Sequence, residues 1–233
     1  MIWFFRLNGW IWGAKGEKKM YNFEYVDKSI WSPAKENVER ILHEVQNLVR
    51  HQFTFSYTFI GSTSRNMVTC DFSSNKGFDF DVNLYINDDN KYKAKDQKHI
   101  IMNALNRVGW RYGYSNCEDS TRVITMKVKD TPFSRVLHSC DIAIVNDYVD
   151  KNGNPRQEYI HFNKKQQTYE WRDQPKGYNL EKKIDWLKKK SLWNEVRNVY
   201  LYKKDTNTNP DKHSRSLFAE AVNDVCHRNG YAK

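Results

Sequence analysis

The spacing of apolar residues predicts two helices in the first half of the chain. After Ser32-Pro33, apolar residues recur at the three- and four-residue intervals of one helix face. Ser32 is a suitable cap and Pro33 suits the first helical position, so we expect the helix to begin there. The members of the stripe are Val38, Ile41, Leu42, Val45, Leu48 and Val49. The same periodicity predicts the second helix over residues 96–108.

Shorter apolar segments, several of them with alternating polar residues, predict β-strands. Gly61-Ser62 ends the first strand in a turn, and the last two strands flank residues 163–166 as a hairpin. The predicted strands cover residues 53–59, 78–86, 123–129, 137–145, 158–162 and 167–171.

The pattern changes after Pro175, where the sequence is mainly helical. We expect two helices there, with a strand signal only at residues 199–202. In the last helix Asn209 is the expected cap, Pro210 lies in the first turn and Gly230 ends the helix. A helix, a set of strands and then further helices predict an α+β fold with a helical C-terminal part.

The composition is basic, with 38 Lys and Arg against 28 Asp and Glu. A positive balance favours anionic partners such as nucleotides, nucleic acid or an anionic membrane surface, although a solvated lysine-rich face is equally compatible with it. The four cysteines have neither zinc-site nor disulfide-framework spacing, which favours free thiols in a reducing cytoplasm. No apolar run reaches the roughly 18 residues of a membrane span.

Residues 1–19 differ from the rest of the chain. They begin with an aromatic and apolar stretch that Arg6 interrupts, and no small-residue cleavage site follows, so a secretory signal is disfavoured. An interfacial anchor is one interpretation. Residues 16–20 can also be back-translated as a purine-rich run before a start codon. We therefore interpret Met20 as the start, and we expect a chain that begins there to fold and keep its activity.

Two acids stand out on the second predicted strand. Asp79 and Asp81 are two residues apart, so both side chains leave the same face, while Phe80 and Val82 point into a core. Adjacent carboxylates without a cation are unfavourable, because like charges repel and each loses water. Oxygen ligands suit Mg²⁺ or Mn²⁺ better than zinc. The pair alone is a weak signal, because such pairs also arise by chance.

The neighbouring motifs strengthen this interpretation. Gly61 allows a sharp turn at the end of a strand, and Ser62 offers a hydroxyl and an N–H to phosphate oxygens. A third acid, Asp141, lies on another apolar strand, whose residues Cys140 and Ile142 face the core. Asp141 is then expected on the side of Asp79. The alternative is that Asp141 is a charged residue at a strand edge or a salt-bridge partner.

Together these motifs resemble the DNA polymerase β-like nucleotidyltransferase superfamily. The resemblance covers about residues 32–171, and it is carried by FIGSTSR at 59–65, FDFDVNL at 78–84 and SCDIAIV at 139–145. Within the superfamily the sequence is most similar to oligoadenylate synthases and to bacterial cyclic-oligonucleotide synthases of anti-phage defence. The resemblance implies a mixed, mostly antiparallel sheet flanked by helices, with a catalytic core over residues 20–174 and a helical part over 175–233.

The resemblance also implies roles for the motif residues. Gly61 and Ser62 would hold the triphosphate of a nucleoside triphosphate. Asp79 and Asp81 would bridge two Mg²⁺ or Mn²⁺ ions, and Asp141 would hold the ion that activates the acceptor hydroxyl.

Further candidates come from the same family. They are Lys203 or Lys204 for the triphosphate, Tyr200 or Tyr202 for the base, and Arg65 for a phosphate. The alternative for these residues is a helix end with solvated lysines and core tyrosines, and a surface role for Arg65.

Three functions remain open from the sequence. The first is transfer of a nucleoside monophosphate, with ATP the expected donor, onto a hydroxyl group to make a nucleotide second messenger. The second is modification of a transfer RNA or a protein by the same chemistry. The third is an RNA-binding module with an idle metal site, in which the lysines of residues 182–190 surround Trp186.

Overall fold

The computed structural model describes residues 21–71, 73, 77–88, 91–175 and 177–231. The segment 1–19, predicted to be a dispensable extension, lies outside the described residues. The helices are α1 (Lys28–Val49), α2 (Gly61–Ser64), α3 (Ala94–Gly109), α4 (Glu181–Lys189), α5 (Trp193–Thr206) and α6 (Ser214–Arg228). The strands are β1 (Glu24–Tyr25), β2 (Thr54–Ile60), β3 (Thr69–Cys70), β4 (Phe78–Asn87), β5 (Glu118–Asp119), β6 (Ile124–Asp130), β7 (Arg135–Val149), β8 (Pro155–Asn163) and β9 (Thr168–Asp173).

Within the described residues, one sheet has seven strands. Its main order is β2-β4-β7-β6-β5, β8 pairs with the C-terminal half of β7, and β9 pairs with β8. Strands β4 and β7 are parallel, whereas the other pairs are antiparallel. Strands β1 and β3 form a separate antiparallel pair. The predicted α+β fold with a mixed, mostly antiparallel sheet is therefore confirmed.

Helices α1 and α3 cover one face of this sheet. The apolar stripes of both helices are buried together with alternate residues of the central strands, such as Phe80 on β4 and Ile142 on β7. Because side chains alternate along a strand, the residues between them lie on the other face, where Asp79, Asp81 and Asp141 are found. One face is thus packed and apolar, and the other carries the acids.

The first helix begins earlier than its sequence predicts. Residue Asp27, rather than Ser32, is the cap, and its side chain accepts a hydrogen bond of 2.8 Å from the backbone N–H of Ser29. Pro33 lies inside the helix. The additional turn brings Trp31 to a buried position against the core, which compensates for the hydrogen bond that Pro33 cannot donate.

The C-terminal part contains α4, α5 and α6, where two helices were expected. Residues 199–202 lie within α5 and are not a strand. Helix α6 begins at Ser214 rather than after Asn209, because Asn209 forms a turn in which its side chain accepts from the N–H of Asp211 at 2.9 Å. The three helices bury a second apolar cluster that also includes Met67, from the segment that follows α2.

Among the described residues, none of the helices has the length and apolarity that crossing a lipid bilayer requires.

A buried ion pair joins three elements on the side of α3. The ammonium of Lys98 lies 2.8 Å from a carboxylate oxygen of Asp119 on β5 and donates to the carbonyl of Ser120 at 2.7 Å. The Tyr169 hydroxyl of β9 donates to the other oxygen of Asp119 at 2.6 Å. Burial of this lysine is therefore compensated by groups on neighbouring strands.

We expect Asp119→Ala to lower the free energy of unfolding by about 3–5 kcal/mol, because the Lys98 charge would stay buried without its partner. Urea denaturation monitored by circular dichroism measures the change. The matched control is Glu118→Ala, which removes the exposed pair with Lys127 and should cost about 0–1 kcal/mol. Equal losses in the two variants would contradict the prediction.

Candidate active site

The acids lie on one row across the sheet. Asp81 on β4 is directly opposite Asp141 on the parallel strand β7, and it is also opposite Ile60 at the end of β2. Asp141 is in turn opposite Thr125 on β6. Asp79 lies two residues before Asp81 on the same face. The sheet register therefore brings together the three acids that the sequence singles out.

The three carboxylates are close enough to share a cation. Each offers one oxygen, and these oxygens lie within 4.8 Å of one another. Asp79 accepts a hydrogen bond from the Ser139 hydroxyl at 2.7 Å, and Asp141 accepts one from the Thr125 hydroxyl at 2.5 Å. A set of oxygen donors with three negative charges fits Mg²⁺ or Mn²⁺.

Burial and mutual repulsion shift the titration of the acids. Burial, followed by the charges of Asp81 and Asp141, raises the pKa of Asp79 to about 8. Burial and the charge of Asp141 raise the pKa of Asp81 to about 6, although Arg65 and Lys204 oppose this shift. Burial also raises the pKa of Asp141, against the hydrogen bond from Thr125. A divalent cation would oppose these shifts, because its positive charge favours the ionised forms and reduces the repulsion among them.

Glycine is required at position 61 by the close approach of the acids. Gly61 has a φ of +66°, and a Cβ on it would lie 2.3 Å from a carboxylate oxygen of Asp81. Any other residue would have to displace Asp81 and would be strained in this backbone conformation. Gly61 begins the single turn of α2, so Ser62 lines the cleft beside the acids.

An open cleft of about 1760 Å³ extends from the acids along β7 and beneath the C-terminal helices. Arg65, which follows α2, lines it, and the guanidinium carbon lies 4.2 Å from the ring centroid of Phe218 on α6. Burial lowers the pKa of Arg65, and the charge of Asp81 opposes that shift. Arg65 is therefore a cation on the cleft wall within electrostatic range of the acids.

The two candidate lysines have different surroundings. Lys204 lines the cleft, donates to the Thr69 hydroxyl at 2.6 Å and lowers the pKa of Asp79 and of Asp81. Lys203 points to α6, where its ammonium lies 2.9 Å from Asp224 and 3.3 Å from Glu220. The structure thus places Lys204 at the cleft and Lys203 in an ion-pair network away from it.

The two candidate tyrosines are separated in the same way. Tyr200 lines the cleft, and its ring meets that of Phe218 edge-on with centroids 5.9 Å apart. Burial raises its pKa, and a hydrogen bond with Ser214 opposes the shift. Tyr202 lies outside the cleft with 47% of its surface exposed.

The basic segment 182–190 forms α4 and the turn after it. Its aromatic residue, Trp186, packs edge-on against Tyr231 with centroids 5.1 Å apart, and it belongs to the apolar cluster of the C-terminal helices. Lys188 lies over Trp193. The aromatic ring on which the RNA-binding alternative depends, that of Trp186, is therefore engaged in packing.

Four residues of the site were not singled out from the sequence. Ser139 and Thr125 were detectable, because strand alternation places them on the face of the acids. The sequence around Phe218 shows only the apolar face of a helix, and no local pattern marks Phe23. Phe23 lines the cleft, and its ring centroid is 3.9 Å from the Lys204 ammonium.

Comparison with known proteins places this geometry in a known fold. No protein-family model matches the chain, and no curated protein sequence matches it. Among solved structures, the cyclic AMP-GMP synthase DncV of Vibrio cholerae superposes with a TM-score of 0.56 at 12% identity, over 91% of this chain and 70% of that one. The cyclic dinucleotide synthase CdnE of Elizabethkingia meningoseptica gives 0.51 at 12% identity, over 81% and 68%.

A third structure, the CdnE c-di-GMP synthase of Capnocytophaga granulosa, gives a TM-score of 0.51 at 18% identity, over 90% of this chain and 64% of that one. The chain therefore spans about two thirds of the length of these synthases. At such identities the likeness establishes the fold. The fold expected from the resemblance to nucleotidyltransferases is confirmed.

We expect the metal-free protein to lose stability as the pH rises from about 4 to about 8. Folding raises the pKa of Asp81 to about 6 and that of Asp79 to about 8, from 3.8, so the folded chain retains protons that the unfolded chain releases. The free energy of unfolding then falls by about 1.4 kcal/mol per pH unit for each retained proton. Urea titrations in EDTA across this range measure the effect, and Mg²⁺ should reverse it.

The variant Asp79→Asn serves as the control, because it keeps the side-chain shape and removes one charge. In EDTA at neutral pH it should melt no lower than the wild type, with a flatter pH dependence. If Asp79 were instead one half of a salt bridge, Asp79→Asn would melt below the wild type, because the cationic partner would stay buried without its counter-charge. A clear destabilisation of metal-free Asp79→Asn would exclude a site built on repulsion.

Proposed function

We propose that the protein is a metal-dependent nucleotidyltransferase that transfers a nucleoside monophosphate from a nucleoside triphosphate, with ATP as the first donor to test, onto a hydroxyl group. The observation that carries the proposal is the convergence of Asp79, Asp81 and Asp141 within 4.8 Å, next to the Gly61 turn. Acids that served only as surface charges or salt-bridge partners would not need to lie this close to one another. The proposal extends to two Mg²⁺ or Mn²⁺ ions held by these acids.

The residues around the acids suit a triphosphate. Ser62, Arg65 and Lys204 line the same cleft, so a hydroxyl and two cations are available to anionic oxygens. When bound, Mg²⁺ would lower the pKa of the acceptor hydroxyl and neutralise charge on the leaving pyrophosphate. Asp141, one oxygen of which accepts the Thr125 hydrogen bond, is the proposed ligand of the ion that activates the acceptor hydroxyl. Tyr200 is the proposed contact for the base.

The proposed product is a nucleotide second messenger. The solved structures with this fold are named as synthases of cyclic dinucleotides, which supports a nucleotide as the acceptor. Modification of a transfer RNA or a protein is the alternative that the same chemistry allows. RNA binding by α4 has less support, because Trp186 packs against Tyr231.

Asp79→Asn, Asp81→Asn and Asp141→Asn should each lower the rate of transfer at least roughly a hundredfold, because each removes a charge that stabilises the transition state. The assay incubates pure protein with labelled triphosphates and Mg²⁺, with and without RNA, and separates the products by chromatography. Asp130→Asn is the matched control. Asp130 is the last residue of β6 and forms an ion pair with Arg135, and it does not line the cleft. Transfer that survives in all three variants would refute the proposal.

Lys204→Met should weaken triphosphate binding by about tenfold or more, since a hydrogen bond to a charged group is worth about 1.5–3 kcal/mol. The affinity of the wild type should also fall with added salt. Calorimetric titration with ATP carrying a carbon bridge between its α- and β-phosphates measures both. Lys203→Met, at the α6 ion pairs, should leave the affinity within about twofold. Equal losses in the two variants would argue against a specific contact by Lys204.

A further inference from the structure

One residue that precedes α1, Phe23, lines the cleft. Tyr21, Asn22 and Phe23 run across the C-terminal end of α5, and we call this segment, residues 21–23, the N-terminal strap. Its last ring, that of Phe23, lines the cleft and lies 3.9 Å from the Lys204 ammonium, measured to the ring centroid. The ring of Tyr21 packs against that of Phe23 in a tilted arrangement, with centroids 5.7 Å apart.

Two buried acids hold the strap through its backbone. The N–H of Phe23 donates to a carboxylate oxygen of Asp205 at 2.7 Å, and the N–H of Tyr21 donates to the Asp205 carbonyl at 3.2 Å. The N–H of Asn22 donates to Asp71, which follows β3, at 3.0 Å. Asp71 and Asp205 are 0% and 4% exposed. Successive backbone groups are thus bound, which fixes Phe23 relative to both the end of β3 and α5.

An aromatic ring can hold the ammonium of Lys204 without neutralising its charge. A ring face attracts an ammonium by its quadrupole and brings no negative charge of its own. The ammonium of the adjacent Lys203 forms ion pairs with Glu220 and Asp224. A lysine that must attract an anionic ligand is better held by a ring. The flexible side chain of a lysine also carries about 2 kcal/mol of rotamer entropy, which a fixed contact reduces before the ligand binds.

We propose that Phe23 is a positioning residue for Lys204: the strap holds the ring so that the ammonium stays directed at the cleft, ready for the phosphates of a triphosphate. The inference rests on the proposed function for the identity of the ligand. It makes the N-terminal strap part of the binding site, although the strap is distant in the sequence from the motifs at 59–65, 78–84 and 139–145. Asp71 and Asp205 act indirectly, because their hydrogen bonds with the backbone fix the strap.

The test compares Phe23→Leu, which keeps an apolar side chain without a π face, with Phe23→Trp, which keeps the face. Binding is measured by calorimetry with Mg²⁺-tripolyphosphate and with ATP carrying a carbon α–β bridge, so that turnover is not needed. Phe23→Leu should weaken binding roughly three- to thirtyfold, the range that a cation–π contact supports, and Phe23→Trp should stay within about threefold. Phe133→Leu, at an exposed ring outside the cleft, should change nothing.

The decisive measurement is a double-mutant cycle with Lys204→Met. If Phe23 acts through Lys204, Phe23→Leu has no further effect once the lysine is gone. Where transfer is measurable, Phe23→Leu should raise KM for the triphosphate more than it lowers kcat. Melting temperatures check that all variants fold alike.

Three results would overturn the inference: equal affinities of Phe23→Leu and the wild type, equal losses in Phe23→Leu and Phe23→Trp, or additive losses with Lys204→Met. A wild-type protein that binds triphosphate in a Phe23-dependent way but transfers no nucleotide would refute the proposed function and uphold the inference.

Discussion

Repulsion among Asp79, Asp81 and Asp141 is the constraint on which the rest of the structure depends. Three carboxylates within 4.8 Å oppose folding unless the backbone that carries them is fixed by other interactions. That backbone is two parallel neighbouring strands whose opposite face is packed under α1 and α3. The favourable free energy of burying the core therefore offsets the repulsion among the acids. A cation bound between them would reduce that repulsion.

The same constraint governs the surroundings of the acids. Gly61 is a glycine because Asp81 occupies the space of a side chain there. Ser139 and Thr125 direct hydroxyl hydrogens at Asp79 and Asp141, which favours the ionised forms without adding net charge. The cations of the cleft contact rings and a hydroxyl: Arg65 lies over Phe218, and Lys204 lies over Phe23 and donates to Thr69. Positive charge thus stays near the acids and accessible to an anionic ligand.

Local periodicity explains which features were predictable from the sequence. Strand alternation predicts the common face of Asp79 and Asp81, because side-chain direction along a strand depends on adjacent residues alone. The start of α1 was predicted wrongly, since Asp27 and Ser32 are both good caps and the burial of Trp31 decides between them. Phe23 was not predictable. Its contact with Lys204 joins residues that are far apart in the sequence, and only the tertiary fold brings them together.

Helix geometry explains why the sequence left a choice within each of two pairs, Lys203 or Lys204 and Tyr200 or Tyr202. Consecutive residues on a helix point about 100° apart, whereas residues four apart share a face. On α5 the residues that share the cleft face are Tyr200 and Lys204, and both line the cleft. Lys203 is turned to the acids of α6. Residues three apart can also share a face, so helix geometry alone admits Tyr200 with either lysine. The contacts with α6 decide between them: Glu220 and Asp224 hold Lys203, and Tyr200 with Lys204 is the pair that lies on the cleft.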